Sequence, residues 1–183
     1  IPLENGSIVQ DPSQLTRSDW QKATLYFMMV DRFRNGNKEN DAPLDDPNVL
    51  PEANFYGGDI AGIHDALKGN FFNELGTNTL WLSPISENPK DAWGLWNKGG
   101  VVTKFSGYHG YWPVSNIKPD ARFGTPDEIK SLLNDAHADN QNVLLDYVAN
   151  HVHEKQPVYI DHPEWATPLY LPDGTLNTER WDD

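Results

Sequence analysis

The segment QNVLLDYVANHV, residues 141–152, begins as a hydrophobic strand and ends in polar residues. Leu144 and Leu145 suit a protein interior, whereas Asp146, Asn150 and His151 interrupt the apolar run. Side chains alternate between the two faces of a strand, so Asp146 and Asn150 would point to the same face. We therefore predict a buried strand over QNVLLDYV that ends in candidate functional residues.

Two further segments, ATLYFMMV (23–30) and TNTLWLSPI (77–85), also have the composition of buried strands. A helical stripe of apolar residues follows each of them. The first stripe is weakened at Gly69, and the second begins at a capping box made by Thr125 and Glu128. The stripes consist of Ile60, Ile63, Leu67, Phe71 and Leu75, and of Ile129, Leu132, Leu133 and Ala136.

The order strand, helix, strand, helix, strand predicts a parallel sheet covered by helices, in a barrel or a doubly wound sheet. We assign Trp81, in the second strand, to the core. Polar loops at 31–59 and 86–124 follow the first two strands, at the edge where such folds bind ligands. Asp146 and His151 are thus either functional residues or a hydrogen-bonded core acid and a turn residue.

Composition narrows the range of functions. The chain has 183 residues and a net charge of −13, which disfavours a nucleic-acid partner because phosphate backbones are negative. No apolar run approaches the length of a membrane span, and the lack of cysteine excludes disulfides and thiolate sites. Residues 1–22 look like a leader or linker with an internal or processed start.

Four groups of residues, in order along the chain, resemble signature segments of the α-amylase family of glycoside hydrolases. They are VDRFRNGNKEND with YGGDIAGI, then GYHGYWP, then FGTPDEIKSLLNDAH, and finally DYVANHV. The pattern is most similar to bacterial α-amylases, cyclomaltodextrinases and cyclodextrin glucanotransferases. The resemblance implies an α/β fold: the first three β/α units of an incomplete (β/α)8 TIM barrel over 23–151. Residues 152–183 would begin the protruding domain inserted after strand three.

The resemblance also implies roles at a sugar site. His151 would donate a hydrogen bond to the sugar at the bond that breaks, and Tyr111 would stack against the same sugar. His109 and Trp112 would lie beside it. Asp146 would be structural and would orient an arginine elsewhere in the barrel.

Two other aromatic side chains, Trp93 and Trp96, are candidates for outer sugar subsites, although burial under their own loop would explain them as well. Taken alone, Tyr111 is equally consistent with a core aromatic beside two glycines. Neutral donors and aromatic faces suit the chemistry, because the oxocarbenium-like transition state needs a positioned, distorted ring.

A calcium site is predicted in the first polar loop. Ca²⁺ prefers about six to eight oxygen ligands, and this loop offers amide and carboxylate oxygens around the turn at Gly36. The alternative is an Asx-rich turn with Asp59 capping the next helix. The proposed ligands are Asn35, Asn37, Asn40, Asp41, Asp59 and, from the family pattern, the Gly57 carbonyl. The resemblance further implies Asn150 as a ligand of a calcium between the barrel and the protruding domain.

No catalytic residue is assigned within the chain, because the family places its carboxylate pair on strands four and five. The sequences RSD (17–19) and RWD (180–182) do not follow apolar strands, so we reject both as nucleophile motifs. We expect the N-terminal part of a calcium-dependent hydrolase that cleaves α-1,4-bonds of starch or maltooligosaccharides. Without the C-terminal remainder of the same enzyme, this part would be inactive. We expect the enzyme to be extracellular or periplasmic. The alternatives are a cyclodextrin-acting or transferase relative, and a non-catalytic glucan-binding barrel.

Overall fold

The computed structural model describes residues 3–4, 7–8, 20, 23–168 and 170–178. Within the predicted leader, a short antiparallel pair joins β1 (Leu3–Glu4) to β2 (Ser7–Ile8). Most of 1–22, the RSD and RWD sequences and the last residues of the predicted protruding domain lie outside the described residues.

The remaining strands and helices keep the predicted order of strand, helix, strand, helix, strand, with further short strands in the stretch that was predicted to be a polar loop. In chain order they are β3 (Leu25–Met28), α1 (Val30–Phe33), α2 (Ile60–Lys68), α3 (Phe71–Glu74), β4 (Thr79–Leu82), β5 (Ser86–Glu87), β6 (Trp93–Lys98), β7 (Val101–Phe105), β8 (Ser115–Pro119), α4 (Pro126–Ala138), β9 (Asn142–Leu145) and α5 (Pro157–Asp161). Short 3-10 turns lie at Lys38–Asn40, Pro51–Ala53 and Pro163–Trp165.

Strands β3, β4 and β9 form one parallel sheet with β4 in the middle. Leu80 and Leu82 of β4 are completely buried and pack against the helices. The helices contribute Ile60, Ile63, Ala66, Leu67, Phe72, Leu132 and Ala136 to the same cluster. The parallel sheet with a helix layer is therefore confirmed, and its carboxyl ends meet at one edge.

The face of the sheet opposite the helices carries exposed apolar side chains, although Thr79 and Asn142 on the same face are buried. Leu25, Phe27 and Trp81 remain 47%, 48% and 39% exposed, with the Phe27 and Trp81 rings 5.3 Å apart. The assignment of Trp81 to the core is therefore wrong for this structure, and Leu145 is also exposed. Alternation places Trp81 opposite the helix-facing leucines of its own strand, so its burial needs a second layer.

The third strand is shorter than predicted. It ends at Leu145, and residues 146–149 have no regular structure. The argument that Asp146 and Asn150 share a strand face is therefore wrong. The backbone N–H of Asp146 still donates to the Leu82 carbonyl at 3.0 Å, so this residue stays at the end of the sheet while Asn150 is free to turn away.

The first predicted helical stripe is divided into two helices, α2 and α3. Asn70 has a left-handed backbone (φ 64°) directly after the weak position at Gly69, and a left-handed residue interrupts a right-handed helix. The second stripe is one helix, α4. The Thr125 and Glu128 capping box is confirmed, with Glu128 N–H donating to Thr125 Oγ1 at 3.2 Å.

The stretch 86–124 is more ordered than the polar loop we expected. Strands β6 and β7 form an antiparallel hairpin, and β5 pairs with β8. The hairpin turns at Gly99 and Gly100, whose φ values are 64° and 81°, as a two-residue type I′ connection requires. The Gly-Gly pair was the sequence signal for this hairpin. No helix in the described part of the chain has the length and apolar character needed to cross a bilayer.

Candidate functional site

The backbone and side chain of Tyr111 connect the residues predicted to bind sugar. Its N–H donates to Nδ1 of His109 at 2.9 Å, and its carbonyl lies 2.7 Å from Nε2 of His151. Its hydroxyl donates to Oδ2 of Asp146 at 2.7 Å. The structure therefore brings the loop between β7 and β8, which we call the Tyr111 loop, next to the segment after β9 at the carboxyl edge of the sheet.

The position of Tyr111 depends on the glycine before it. Gly110 has a φ of 83°, a conformation that L side chains rarely adopt. A Cβ at Gly110 would collide with the carbonyl oxygen of Pro84. The loop can therefore pass directly over the end of β4 and present the half-buried Tyr111 at the sheet edge.

The proton positions on the two imidazoles follow from their partners. The N–H of Tyr111 can only donate, so Nδ1 of His109 is unprotonated and the neutral ring carries its hydrogen on Nε2. The carbonyl of Tyr111 can only accept, so Nε2 of His151 carries a hydrogen. Burial, and after it the electrostatic influence of the nearby Arg32 and His151, lowers the pKa of His109 to about 4. The site thus holds a neutral His109 at neutral pH.

We expect the stability of the protein to fall as the pH is lowered from about 6.5 to about 4, partly because of His109. Its pKa in the folded state is below the ordinary value of 6.5, so the unfolded chain binds the proton more readily in this window. The favourable contribution is present above pH 6.5 and is lost towards pH 4. Thermal midpoints across this range should fall less steeply for His109→Gln; equal slopes would contradict this assignment.

Aromatic rings surround this centre. The His109 and Tyr111 rings are stacked with centroids 6.0 Å apart, and Trp112 meets His109 edge-on at 4.5 Å. Burial and the adjacent Asp146 carboxylate raise the pKa of Tyr111 to about 12. Asp146, predicted to orient an arginine, here accepts from Tyr111; that arginine role stays a prediction.

The structure does not place Trp93 and Trp96 in this cluster. Trp93 is half-buried and packs edge-on against His153 at 4.6 Å, beside the exposed ion pair between Lys155 and Asp91. Trp96 is 48% exposed on the hairpin, where it borders an apolar groove of about 510 Å³. The outer-subsite role of both tryptophans stays a prediction.

A buried polar network lies below the Tyr111 loop and was not predicted from the sequence. Asp120 and Arg122 form a two-point ion pair, with Nε to Oδ1 at 2.8 Å and Nη2 to Oδ2 at 2.6 Å. Both residues are almost fully buried, and the Arg122 guanidinium lies 4.0 Å from the Phe55 ring centroid. The pair also contacts the buried Asn88. Asp120 and Arg122 follow β8, whereas Asn88 follows β5, so no single spacing signal marks the three residues as one network.

The predicted calcium ligands converge in the loop after α1. Nδ2 of Asn35 lies 2.7 Å from Oδ1 of Asp41, and Nδ2 of Asn40 lies 3.3 Å from Oδ2 of Asp59. The Oδ1 atoms of Asn35 and Asn40 are buried and accept no hydrogen bond. Such orphaned acceptor oxygens are costly unless a partner binds them, and oxygen ligands are those that calcium takes.

The backbone at Gly57 is part of the same cradle. Gly57 has a φ of 87°, and a Cβ there would collide with Oδ1 of Asp41 and Nδ2 of Asn35. No cluster of three or more His, Cys, Asp or Glu suited to a metal occurs within the described ranges. The fit to calcium therefore rests on amide oxygens, a carboxylate and a backbone carbonyl.

Asp59 caps helix α2, which is the alternative to calcium binding that the sequence allowed. Its Oδ1 accepts from the N–H groups of Gly62 and Gly36 at 2.7 and 3.0 Å, and its Oδ2 accepts from Asn37 N–H at 2.8 Å. The residue caps α2 and holds the preceding loop against it. Asn150 is exposed in the segment after β9, and its role as a ligand of a different calcium stays a prediction.

A parallel sheet covered by helices, with aromatic and imidazole side chains at its carboxyl edge, is the arrangement of the α/β class of proteins, which commonly bind ligands at that edge. The family model for the α-amylase catalytic domain matches residues 27–170, and the chain belongs to the α-amylase family. The resemblance seen in the sequence is thereby confirmed.

Relatives of known function and structure agree with this assignment. The chain is 29% identical over 189 residues to the periplasmic α-amylase of Escherichia coli K12, covering 98% of this chain and 27% of that protein. It is 32% identical over 151 residues to the cyclomaltodextrin glucanotransferase of Klebsiella oxytoca, covering 79% and 21%. An Anoxybacillus α-amylase structure matches with a TM-score of 0.62 and 33% identity, covering 88% and 32%. The chain therefore spans about a quarter of the length of these two relatives.

Proposed function

We propose that this chain forms the substrate-binding side of an α-glucan-acting retaining glycoside hydrolase that cleaves α-1,4-bonds. The observation that supports this proposal is that one residue, Tyr111, makes hydrogen bonds to His109, to His151 and to Asp146. An aromatic face flanked by imidazole N–H donors is suited to a sugar ring, since stacking and hydrogen bonds together orient the ring.

The residues would act by positioning the sugar. The ring of Tyr111 would stack on the sugar face, and Nε2–H of His109, which the Tyr111 contact leaves protonated, would be a hydrogen-bond donor. Nε2–H of His151, now 2.7 Å from the Tyr111 carbonyl, would exchange that acceptor for a sugar hydroxyl. Hydrogen bonds that strengthen as the ring distorts would lower the barrier to glycosyl transfer.

The nucleophile and the acid would come from elsewhere in a longer protein, of which this chain supplies three β/α units. Retaining hydrolysis needs two carboxyl groups about 5 Å apart, and the family places them on later strands. The exposure of the apolar side chains of Leu25, Phe27 and Trp81 on one face of the sheet supports this proposal. In a complete barrel of about 250 residues the inner face is filled by side chains from all strands.

We expect the 183-residue chain alone to release no reducing ends from starch, because the carboxylate pair lies outside it. The full-length parent protein should release them under the same conditions. Reducing-end assays of both purified proteins on soluble starch test the proposal directly. It fails if the short chain turns over and that turnover is lost when an acid within it is replaced. A parent protein that binds glucan but shows no turnover would favour a non-catalytic barrel.

Glycosyl transfer is the second candidate. The 32% identity to a cyclomaltodextrin glucanotransferase favours glycosyl transfer. Transfer and hydrolysis share the first half-reaction and differ only in the acceptor, so the same sugar site could serve either reaction. Chromatography of the products from maltoheptaose would distinguish the two: longer or cyclic products indicate transfer, and only shorter ones indicate hydrolysis. An extracellular or periplasmic location is proposed as well, in line with the periplasmic relative from Escherichia coli.

Calcium is the proposed cofactor. Asn35, Asn40, Asp41 and the Gly57 carbonyl would hold the ion, while Asp59 organises the loop. When bound, calcium would cross-link this loop and lock its backbone. It would thereby stabilise the ends of α1 and α2, and it is assigned no step in the reaction.

We expect calcium removal to lower the thermal midpoint of the parent protein by several degrees. A ligand that binds only the folded state stabilises it by about 2.7 kcal/mol at a hundredfold excess over Kd. Differential scanning calorimetry with calcium and with a chelator measures the shift. Asn35→Ala should remove most of it, whereas Asn134→Ala, an exposed change on α4, should not. An equal shift in both variants would place the ion elsewhere.

A further inference from the structure

Asn88 holds the two peptide groups that flank Tyr111. Its Oδ1 accepts the N–H of Trp112 at 3.0 Å, and its Nδ2 donates to the carbonyl of Gly110 at 3.2 Å. These groups belong to the peptides directly before and after Tyr111. Because a peptide is planar, fixing both planes leaves the Tyr111 side chain and carbonyl little freedom of direction.

Asn88 is itself held from three directions. Its N–H donates to Oδ2 of Asp120 at 2.9 Å, and its carbonyl accepts from Nη2 of Arg122 at 3.1 Å. Its Nδ2 also donates to the Ser86 carbonyl at 2.8 Å. The buried ion pair between Asp120 and Arg122 thus anchors the backbone of the residue whose side chain grips the Tyr111 loop.

We propose that Asn88 is a positioning residue for the sugar site, acting through Tyr111. It is completely buried, so it cannot touch a substrate in this arrangement. Its effect is to direct the Tyr111 ring and the Tyr111 carbonyl, which in turn sets the ring of His151. This inference rests on the proposed function for its catalytic readout, but the contacts themselves do not depend on it.

The first test is kinetic. In the full-length parent protein, Asn88→Ser shortens the side chain so that it no longer spans the two peptides. kcat/KM on maltoheptaose should fall on the order of 10- to 100-fold, as expected for a small misplacement of a positioning group. The matched control is Asn54→Ser. Asn54 grips the peptide groups of Leu44 in the same two-point manner, at 2.9 Å each, far from Tyr111 in sequence, and should leave kcat/KM nearly unchanged.

A double-mutant cycle separates positioning from general destabilisation. If Asn88 acts through Tyr111, the change Asn88→Ser should cost much less in a Tyr111→Ala background than in the wild type. Fully additive losses, or an Asn88→Ser protein with wild-type kcat/KM, would overturn the proposal.

A second measurement does not need activity. Hydrogen exchange of the Trp112 amide should be faster in Asn88→Ser than in the wild type and in Asn54→Ser, because the amide loses its acceptor. An unchanged exchange rate would overturn the positioning role. A parent protein inactive on every α-glucan would overturn the proposed function alone, and the Trp112 amide would still decide the role of Asn88.

Discussion

Replacing His151 by alanine in the full-length parent protein is expected to lower kcat on maltoheptaose by about 10²–10³-fold, the loss seen when one positioned donor to a reacting oxygen is removed. His151 contacts the Tyr111 carbonyl at 2.7 Å, so its removal deletes a donor and also loosens Tyr111. In the proposed role the donor would strengthen its hydrogen bond as the ring distorts, so KM should change less than kcat. Steady-state kinetics measure both constants.

Two variants make this expectation specific. His137→Ala changes an exposed histidine at the end of α4, near the amino end of β9 and away from the carboxyl edge of the sheet. This variant should leave both constants near wild type. Tyr111→Ala should impair kcat and KM together, because the proposed stacking would hold the bound sugar before reaction as well as during it. A His151→Ala enzyme with unchanged kcat would remove His151 from the site and leave it a turn residue.

Replacing Asp120 by asparagine is expected to reduce the free energy of unfolding by about 3–5 kcal/mol, the cost of removing one partner of a buried ion pair. The change leaves the charge of Arg122 buried without a counter-ion and places an amide donor against its guanidinium. It also weakens the acceptor of the Asn88 N–H, so the Tyr111 loop should loosen with it. Urea unfolding followed by tryptophan fluorescence measures the loss.

The control for Asp120→Asn is the same kind of change in an exposed ion pair of this protein. Lys155 and Asp91 are 2.7 Å apart, but their side chains are 47% and 51% exposed, so Asp91→Asn should cost less than about 1 kcal/mol. The double change Asp120→Leu with Arg122→Met should regain part of the stability, since apolar side chains need no counter-charge. Equal losses for Asp120→Asn and Asp91→Asn would show that burial does not set the strength of the pair.

Local signals in the sequence were sufficient for much of the fold. Continuous apolar strands predicted the parallel sheet, and the capping box at Thr125 predicted the start of α4, because both depend on neighbouring residues. Burial was harder to predict. Trp81 and Leu145 read as core residues, yet both are exposed. Trp81 lies on the face opposite the helices, whereas Leu145 pairs with the buried Leu82 and is exposed where β9 ends.

The sequence by itself determined the family, the order of the strands and the polar residues at their carboxyl ends, because these follow from short motifs and periodicity. The resemblance already implied that Tyr111, His109 and His151 share one sugar site. Only the tertiary structure showed their direct hydrogen bonds through Tyr111, the bond from Tyr111 to Asp146, and the hold of Asn88 on the peptides beside Tyr111. Asn88 and Asp146 lie far from Tyr111 along the chain, so their contacts depend on how neighbouring strands align and where each loop turns. Residue spacing does not encode that alignment; the packing of β4 and β9 against each other and the helices sets it.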